Sequence, residues 1–262
     1  MKASKLVTSL LIAFSGATYA ADNSIYIDQS GDGATITMTQ EGAGNRIRGI
    51  QGIGTGDTTP AKIYGDNAQI TVNQVGSGNV LNLGIVTATA SGGINPTINY
   101  STYGSNSVAS IDVNANGQGA AASNYIAVTQ GTAQVGASNS ITQIAMLGSG
   151  NSLSALQTGA YATLTATVDG NDNQTNVTTS GGTHNTVNVT QSGDNHSATV
   201  TVVGGANTVG ITQTGGVGGH SATVNLSGSS NTVGISQTNT AMNSVVNLQS
   251  QGSGNTFNIT SR

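Results

Sequence analysis

The sequence lacks cysteine and tryptophan, and it contains few charged or aromatic residues. Charged residues make up 6% of the chain and aromatic residues 3%, whereas a globular enzyme has about 25% charged residues. Without cysteine, disulfide bonds cannot stabilise the chain after export. The few bulky side chains cannot fill a thick layered core. These shortages therefore favour a thin core of small residues, stabilised by backbone pairing.

The sequence contains instead 38 glycines and a repeated phrase in its C-terminal part. Four copies of this phrase begin 22, 24 and 24 residues apart, at Asn185, Asn207, Asn231 and Asn255. A second phrase, Ser-Ala-Thr-Val, follows His196 and His220. Each period thus carries two short alternating segments joined by Gly-rich turns. A fixed period of about two dozen residues is typical of a solenoid.

Apolar and polar residues alternate within each phrase. Because successive side chains of a strand point to opposite faces, Val187, Val189 and Gln191 share one face with Asn185. Valine belongs in the core, so the flanking amides are expected inside too. An unpaired buried amide costs about 1–3 kcal/mol. In stacked coils, however, equivalent amides lie about 4.8 Å apart and bond along a ladder.

These patterns predict an all-β fold, a cross-β solenoid of stacked two-strand coils with about 22–24 residues per coil and some eight to ten coils. One elongated domain is expected over residues 21–262. Irregular loop inserts are expected near residues 46–66 and 84–122, where the rhythm lapses. These stretches contain Pro60 and Pro96, and proline cannot donate a hydrogen bond to a central strand.

Residues 1–20 have the features of a secretory signal peptide. Lys2 and Lys5 precede the apolar run 6–14, and small residues end at Ala20. We expect cleavage after Ala20 and secretion of the remaining chain. Loss of both lysines leaves four basic residues against ten acidic ones, a net charge of −6. This balance argues against nucleic acid as a partner, because phosphate binding needs basic side chains.

Two sets of residues are predicted to carry the structural role of the repeat. The predicted ladder of stacked amides contains Gln29, Gln40, Asn45, Gln74, Asn79, Gln157, Asn185, Gln191, Asn207, Gln213, Asn231, Gln237 and Asn255. The predicted turn glycines, which supply positive φ angles, are Gly31, Gly42, Gly76, Gly159, Gly193 and Gly215. The amides are expected to pair with one another from coil to coil.

No group of residues points to catalysis, a cofactor or a metal. His184, His196 and His220 are candidates for metal binding or for a pH switch. The sequence has no cysteine, however, and few carboxylates lie near these histidines, which argues against a metal site. His196 and His220 occupy places where other copies carry Asn, so membership of the ladder is favoured. No Ser-His-Asp arrangement stands out, and enzyme activity is not expected.

The phrase Gln-x-Gly-x-x-Asn that closes several copies resembles the curlin repeat of bacterial curli subunits. Full copies occur at 40–45 and 74–79, and near copies begin at Gln157 and Gln191. The resemblance implies a subunit that self-assembles into extracellular amyloid fibres for the biofilm matrix and for adhesion. It also implies a second curlin-like subunit, a periplasmic chaperone and a dedicated outer-membrane secretion pore as partners.

The alternative is a monomeric exported β-solenoid that acts as an adhesin or as a surface- or ice-binding module. Ice binding calls for a flat outward Thr-x-Thr array on successive coils. The row that begins at Thr199 and Thr201 becomes Thr223 and Asn225 in the next coil and then decays. The repeat also continues almost to Arg262, so no capping element is expected. Uncapped coils expose strand edges that recruit another chain, which favours a fibre.

Overall fold

The computed structural model describes residues 9–15, 22–50, 58–86, 96–113, 123–215 and 218–262. These residues form 22 β-strands, and every strand pairing is parallel. The described part contains no helix, and so none that could span a membrane. The strands stack into a solenoid of about 9 turns. The predicted all-β solenoid is confirmed.

The strands form two sheets, each in the order in which the chain visits them. The first sheet contains β1 (Ser9–Ser15), β4 (Thr35–Glu41), β7 (Gln69–Ser77), β9 (Thr97–Ser105), β11 (Tyr125–Gln130), β13 (Ser152–Gln157), β15 (Gln174–Ser180), β17 (Ser197–Val203), β19 (Ser221–Ser227) and β21 (Val245–Gln251). The second sheet contains β2 (Ser24–Ile25), β3 (Ile27–Ser30), β5 (Arg46–Arg48), β6 (Ala61–Tyr64), β8 (Val80–Val86), β10 (Val108–Val113), β12 (Ile141–Leu147), β14 (Thr163–Asp169), β16 (Thr186–Ser192), β18 (Thr208–Thr214), β20 (Thr232–Gln237) and β22 (Thr256–Ser261).

The chain alternates between the two sheets, so each turn of the solenoid adds one rung to each sheet. A rung is one strand or, near the start of the second sheet, a pair of short strands. In β18, the inward Val209, Ile211 and Gln213 are buried, whereas the outward Thr208 and Thr212 are exposed. The core is therefore one thin layer of inward side chains between the two sheets.

Equivalent residues of successive rungs lie in register. Val187 pairs with Val209, which pairs with Val233. Each of these valines is at most 2% exposed. Full burial of a valine stabilises the fold by about 1.5–3 kcal/mol. The period of the sequence thus becomes a stack of like residues along the solenoid axis.

Glycine is required where the chain turns from one sheet to the other. Gly204 has a φ angle of 115°. A Cβ atom placed on it would lie 2.1 Å from the carbonyl oxygen of Gly228, one rung away. Successive turns therefore stack so closely that backbone meets backbone, and a side chain at this position has no room.

The predicted insert at 84–122 is wrong for residues 97–113. This stretch forms a complete turn of the solenoid, β9 and β10, with regular register on both sides. Pro96 immediately precedes β9, and its carbonyl oxygen accepts a hydrogen bond from the Gln69 amide at 2.9 Å. A proline just before a strand costs no ladder bond, which the sequence argument overlooked. Residues 87–95 and 114–122 lie outside the described part.

The predicted insert at 46–66 is a loop within one rung rather than a lapse of the pattern. β5 and β6 are two halves of a single rung, because Arg48 pairs with Asn82 and Lys62 pairs with Gly84. Between these halves, the described residues 49–50 and 58–60 belong to no strand. The Gly49 amide donates to the Thr59 carbonyl at 2.8 Å and closes the base of this loop. Residues 51–57 of the loop lie outside the described part.

The first sheet begins with β1, which lies within the predicted signal peptide. β1 pairs with β4 from Ser9–Thr35 to Ser15–Glu41. The strand therefore covers the edge of β4 in the full-length chain. Cleavage after Ala20 is a statement about processing, and it stays a prediction.

Candidate functional site: buried amide columns

A column of buried glutamines runs along the inside of the second sheet. Gln191, Gln213 and Gln237 are fully buried and lie on successive rungs. Each Nε2 donates to the Oε1 of the next glutamine, from Gln191 to Gln213 and from Gln213 to Gln237, at 3.0 Å in both cases. Nε2 of Gln191 also donates across the core to the Gln174 carbonyl at 3.0 Å. Each side-chain amide of this column is thus paired, and the column holds the rungs in register.

Asparagines form a second column where the chain enters the second sheet. Asn207 donates its backbone N–H to Oδ1 of Asn185 at 3.1 Å, and Asn231 donates to Oδ1 of Asn207 at 3.0 Å. Nδ2 of Asn185 donates to the Gly204 carbonyl at 2.7 Å, and Nδ2 of Asn207 donates to the Gly228 carbonyl at 2.9 Å. Each asparagine therefore bonds twice to the turn of the following rung.

This arrangement lies in a stretch that matches a known family model. Residues 182–215 match the model of the curlin-associated repeat. The chain carries a curlin repeat. The matched residues include β16, β17 and β18, with Gln191 and Gln213 of the glutamine column. The predicted relationship to the curlin-repeat family is confirmed here. No curated protein and no solved structure matches the chain.

Before the matched curlin repeat, the buried glutamines lie in the first sheet instead of the second. Nε2 of Gln40 donates to Oε1 of Gln74 at 2.8 Å. Further along, the Thr142 hydroxyl bridges two glutamines: it accepts from Nε2 of Gln130 at 3.1 Å and donates to Oε1 of Gln157 at 2.6 Å. The column therefore changes sheet along the solenoid.

A second corner column stands where the chain enters the first sheet. The backbone N–H of Asn151 donates to Oδ1 of Asn124 at 2.9 Å, and that of Asn173 donates to Oδ1 of Asn151 at 3.0 Å. The next member is a histidine, since the His196 N–H donates to Oδ1 of Asn173 at 2.8 Å. His220 follows in the next rung.

The two histidines make the hydrogen bonds of the asparagines that they replace. Nδ1 of His196 accepts the backbone N–H of His220 at 2.9 Å, and Nδ1 of His220 accepts that of Ser244 at 3.1 Å. The Nε2 atoms lie 3.2 Å from the carbonyl oxygens of Ser192 and Thr214, respectively. This pattern requires a neutral ring protonated at Nε2. The rings stack with centroids 5.2 Å apart.

Burial lowers the pKa of His196, and the neighbouring His220 lowers it further. The Ser192 carbonyl and the Asp194 carboxylate act in the opposite direction and raise this pKa, but less than burial lowers it. The net result keeps the His196 ring in the neutral form that the column needs. In the described part of the chain, no three His, Cys, Asp or Glu side chains gather as a metal site would require.

Several predicted residues occupy other places. Gln29 is half-buried and donates to the Gly31 carbonyl at 3.0 Å, two residues away. Gln157 lies in the column but bonds to Thr142 and not to another glutamine. His184 is exposed and stacks on Tyr161 with ring centroids 4.8 Å apart. The remaining predicted amides all bond between rungs, and they are Gln40, Asn45, Gln74, Asn79, Asn185, Gln191, Asn207, Gln213, Asn231, Gln237 and Asn255. At the end of its column, Gln237 accepts from Gln213, and its Nε2 donates to backbone carbonyls.

Sequence reasoning missed several members of the columns. The missed residues are Asn23, Asn124, Gln130, Thr142, Asn151, Asn173 and Thr175. The signal for some of them was present, because Asn124 and Gln130 are spaced like Asn185 and Gln191. Thr142 and Thr175 had no such signal, since a threonine on an inward position resembles an ordinary core residue.

The six predicted turn glycines all adopt positive φ angles. Their φ angles are 124° at Gly31, 96° at Gly42, 118° at Gly76, 118° at Gly159, 125° at Gly193 and 76° at Gly215. Positive φ also occurs at residues that sequence reasoning did not mark. Tyr161, His184 and Ala206 have φ angles of 58°, 60° and 55°. Stacking of the turns imposes this conformation even where the residue does not favour it.

The outer face of the second sheet carries a threonine array that sequence reasoning also missed. One column contains Thr163, Thr186, Thr208, Thr232 and Thr256 in register, and another contains Thr167, Thr190, Thr212, Ser236 and Thr260. The columns are four residues apart, or about 13 Å. On the first sheet, the row of Thr199 and Thr223 ends at Asn247, as expected.

Proposed function

We propose that this protein is a secreted structural subunit that self-assembles into extracellular, curli-like amyloid fibres, which serve the biofilm matrix and adhesion. The role is structural rather than enzymatic. The matched curlin repeat supports the proposal, as does the stacking of like residues within one chain. Such a stack is already a cross-β arrangement, and a second copy would extend it along the same axis.

The direction of the corner bonds carries the proposal. Oδ1 of Asn231 accepts the Asn255 N–H at 2.9 Å, and its Nδ2 donates to the Gly252 carbonyl at 3.0 Å. Oδ1 of Asn255 accepts no hydrogen bond from the described residues. No described strand lies on the outer edges of β21 and β22. The last rung thus presents the groups that every earlier rung uses to bind its successor, and a second copy would use them.

The proposal includes the route and the partners of the subunit. The predicted signal peptide directs export, and a dedicated outer-membrane pore with a periplasmic chaperone completes secretion. A second curlin-like subunit nucleates or joins the fibre. These partners follow from the curlin relationship, and loss of surface fibres on deletion of the pore would test them.

Assembly of the purified chain 21–262 tests the proposal. Freed of denaturant, it should form thioflavin-binding fibres with a meridional reflection at about 4.7–4.8 Å. Growth should show a lag that preformed seeds abolish, because the first stack is costly and its extension is not. A chain that stays monomeric and folded for days at tens of micromolar would rule out the fibre role.

The threonine array favours a second candidate, a surface-binding module. Five rungs present hydroxyl groups in two in-register columns on the outer face of the second sheet. Inhibition of ice recrystallisation by the soluble chain, and its loss on Thr208→Leu and Thr232→Leu, would support this function. Absence of inhibition in the unmodified protein would exclude ice as the surface.

A further inference from the structure

Gln40 holds a buried oxygen that has no hydrogen-bond partner. The side chain is fully buried, and its Nε2 donates to Gln74 at 2.8 Å. Its Oε1 is buried and accepts no hydrogen bond. Because Nε2 points forward to β7, Oε1 points back toward the strand position on the other side of β4. A buried acceptor left without a donor costs about 1–3 kcal/mol.

Comparison with the other glutamine column shows what is missing. Oε1 of Gln213 accepts from Gln191, and Oε1 of Gln191 accepts from the Thr175 hydroxyl at 2.7 Å. Each thus receives a donor from the preceding part of the stack. Two further buried atoms lack a hydrogen-bond partner, namely Nε2 of Gln157 and Oγ1 of Thr179. Their residues lie opposite each other in register, so each atom has a hydrogen-bond partner within reach. Gln40 has none.

The strand position next to Gln40 is filled by β1 in the full-length chain. The register places Phe14 opposite Gln40, and a phenylalanine side chain has no hydrogen-bond donor. β1 also lies within the predicted signal peptide. Its removal would leave the edge of β4 open, with Ile36, Met38 and Gln40 facing an empty position.

We propose that the edge of β4 is an acceptor site for β21 of a second copy of this chain. The inference rests on the proposed self-assembly and names the surfaces that meet. In parallel register, Val246, Leu248 and Ser250 of β21 take the positions opposite Ile36, Met38 and Gln40. The two apolar pairs continue the core across the junction.

Ser250 supplies the donor that Gln40 lacks. Its Oγ accepts from Nδ2 of Asn255 at 3.3 Å, and no described residue takes its hydroxyl proton. In the proposed register this hydroxyl donates to Oε1 of Gln40. The serine is 8% exposed in the single chain, so a new strand on β21 completes its burial.

The turns on the two sides of the junction also match. Gly252-Ser-Gly-Asn255 has the same pattern as Gly42-Ala-Gly-Asn45. Gly228 is the equivalent glycine of an internal turn, and a Cβ added to it would lie 2.0 Å from the carbonyl oxygen of Gly252 in the next rung. A Cβ on Gly252 would meet only Nδ2 of Asn255, at 3.6 Å. The space over Gly252 is therefore shaped for another glycine turn, and Gly42 supplies it.

The first rung of the second sheet, formed by β2 and β3, must be displaced for this junction to form. Asn45 donates its backbone N–H to Oδ1 of Asn23 at 2.9 Å. In the proposed junction, Oδ1 of Asn255 from the second copy would accept this N–H instead. β22 therefore competes with β2 and β3 for one position beside β5 and β6. Ile25 and Ile27 of β2 and β3 are only half-buried. The long, unbroken β22 displaces this short, divided rung.

Cysteine crosslinking of assembled fibres tests the junction. The chain has no native cysteine. In the proposed register Thr37 lies opposite Asn247, both on the outer face, at a spacing of about 4.8 Å that suits a disulfide. The double variant Thr37→Cys with Asn247→Cys, in the chain 21–262, should give a covalent ladder of multimers after mild oxidation of fibres.

The matched control moves one cysteine a single rung inward. Thr223 occupies the same outward column as Asn247. Thr37→Cys with Thr223→Cys should therefore remain monomeric on a denaturing gel. Equal crosslinking of the two variants within normal fibres would overturn the junction and leave the fibre role intact. Failure of both variants and of the unmodified chain to form fibres would overturn the fibre role itself.

Substitution of Ser250 tests the donor separately. Ser250→Ala should raise the soluble concentration that remains at the plateau of assembly by about fivefold, the change expected for one lost hydrogen bond. Ser250→Gln should lower it, because a glutamine extends the column to Gln40. Ser236→Ala, on the outer face of β20, serves as the control. Assembly that is unchanged by both Ser250→Ala and Ser250→Gln would overturn the assigned donor.

Discussion

At the scale of single residues, the physical chemistry of a buried carboxamide explains most of this protein. An amide has both a donor and an acceptor, so a stack of identical amides satisfies itself along its own axis. Gln191, Gln213 and Gln237 achieve this inside a core that is otherwise apolar. Removal of one member leaves partners unpaired on both sides, at about 1–3 kcal/mol for each group.

Replacement of the three column glutamines should therefore slow assembly strongly. The test is Gln191→Ala, Gln213→Ala and Gln237→Ala together, followed by thioflavin kinetics and by the soluble concentration at the plateau. The control is Thr190→Ala, Thr212→Ala and Ser236→Ala, each one residue away and on the outer face. Equal effects of the two sets would contradict the assignment of the faces.

His196 makes the C-terminal part of the solenoid sensitive to acid. The pKa of His196 is lowered in the fold, mainly by burial, so the dissociated or unfolded chain takes up the proton first as the pH falls. The contribution of neutral His196 to stability is complete above the ordinary pKa of 6.5 and is lost as the pH falls through the lowered pKa. A proton on Nδ1 would also oppose the backbone N–H of His220.

Fibres should therefore dissociate at a lower denaturant concentration at about pH 5 than at about pH 7.5. The control is the variant His196→Asn with His220→Asn, which restores the usual residue of the column. Its denaturation midpoint should change less over the same range. A variant as acid-sensitive as the unmodified chain would contradict the assignment of this effect to the histidines.

At the scale of elements, turns and strands make opposite demands on glycine. Gly204→Ala should destabilise the fold by about 1–3 kcal/mol for its φ of 115°, and by more for the contact with Gly228. Gly210→Ala is the matched control. Gly210 lies in the middle of β18, and its added Cβ would meet only the Val233 carbonyl, at 3.9 Å. This control should be neutral or stabilise by up to about 1 kcal/mol, because alanine loses less entropy on folding. Denaturant unfolding distinguishes the two.

A loop that leaves a rung without a change of register is dispensable to the stack. Arg48 and Ala61 occupy consecutive positions beside β8, so deletion of 49–60 joins two neighbours. We expect fibres of unchanged cross-β spacing and a denaturation midpoint that is equal or higher. Deletion of the equally long stretch 97–108 removes β9 and should prevent a cooperative transition. Loss of assembly on deletion of 49–60 would show that the loop holds the rung together.

At the scale of the whole molecule, regularity is unevenly distributed along the solenoid. Residues 183–262 contain the unbroken glutamine and asparagine columns and no proline. Residues 46–123 contain both prolines, three basic residues and an amide column that is interrupted after Gln74. Each rung of the regular part is closed by a short turn, which keeps the entropic cost of loop closure low.

An isolated 183–262 peptide should therefore fibrillise faster than an isolated 46–123 peptide, and its fibres should seed the chain 21–262. Thioflavin kinetics at equal molarity provide the measurement. Faster assembly of the 46–123 peptide would mean that regularity of the columns does not set the rate. Seeds of 183–262 that leave the lag unchanged would mean that the two stacks differ in structure.

The sequence by itself determined the features that depend on near neighbours. The alternation of Val187, Asn188 and Val189 sets which side chains face inward, because this period is a property of the extended backbone. The spacing between Asn185 and Asn207 sets the length of one turn, and Gly193 marks a corner between the two sheets. The curlin resemblance followed from these same local features.

Only the tertiary structure decided which residues of neighbouring rungs contact one another. Gln40 and Gln74 are 34 residues apart, yet they bond because β5 and β6 keep one continuous register beside β8. Thr142 completes a column of the opposite sheet, which no local pattern records. The sequence favours His196 as a ladder member, but only the structure shows that its Nδ1 accepts the backbone N–H of His220. The physical reason is that alternation belongs to one strand, whereas pairing depends on the path of the chain around the solenoid.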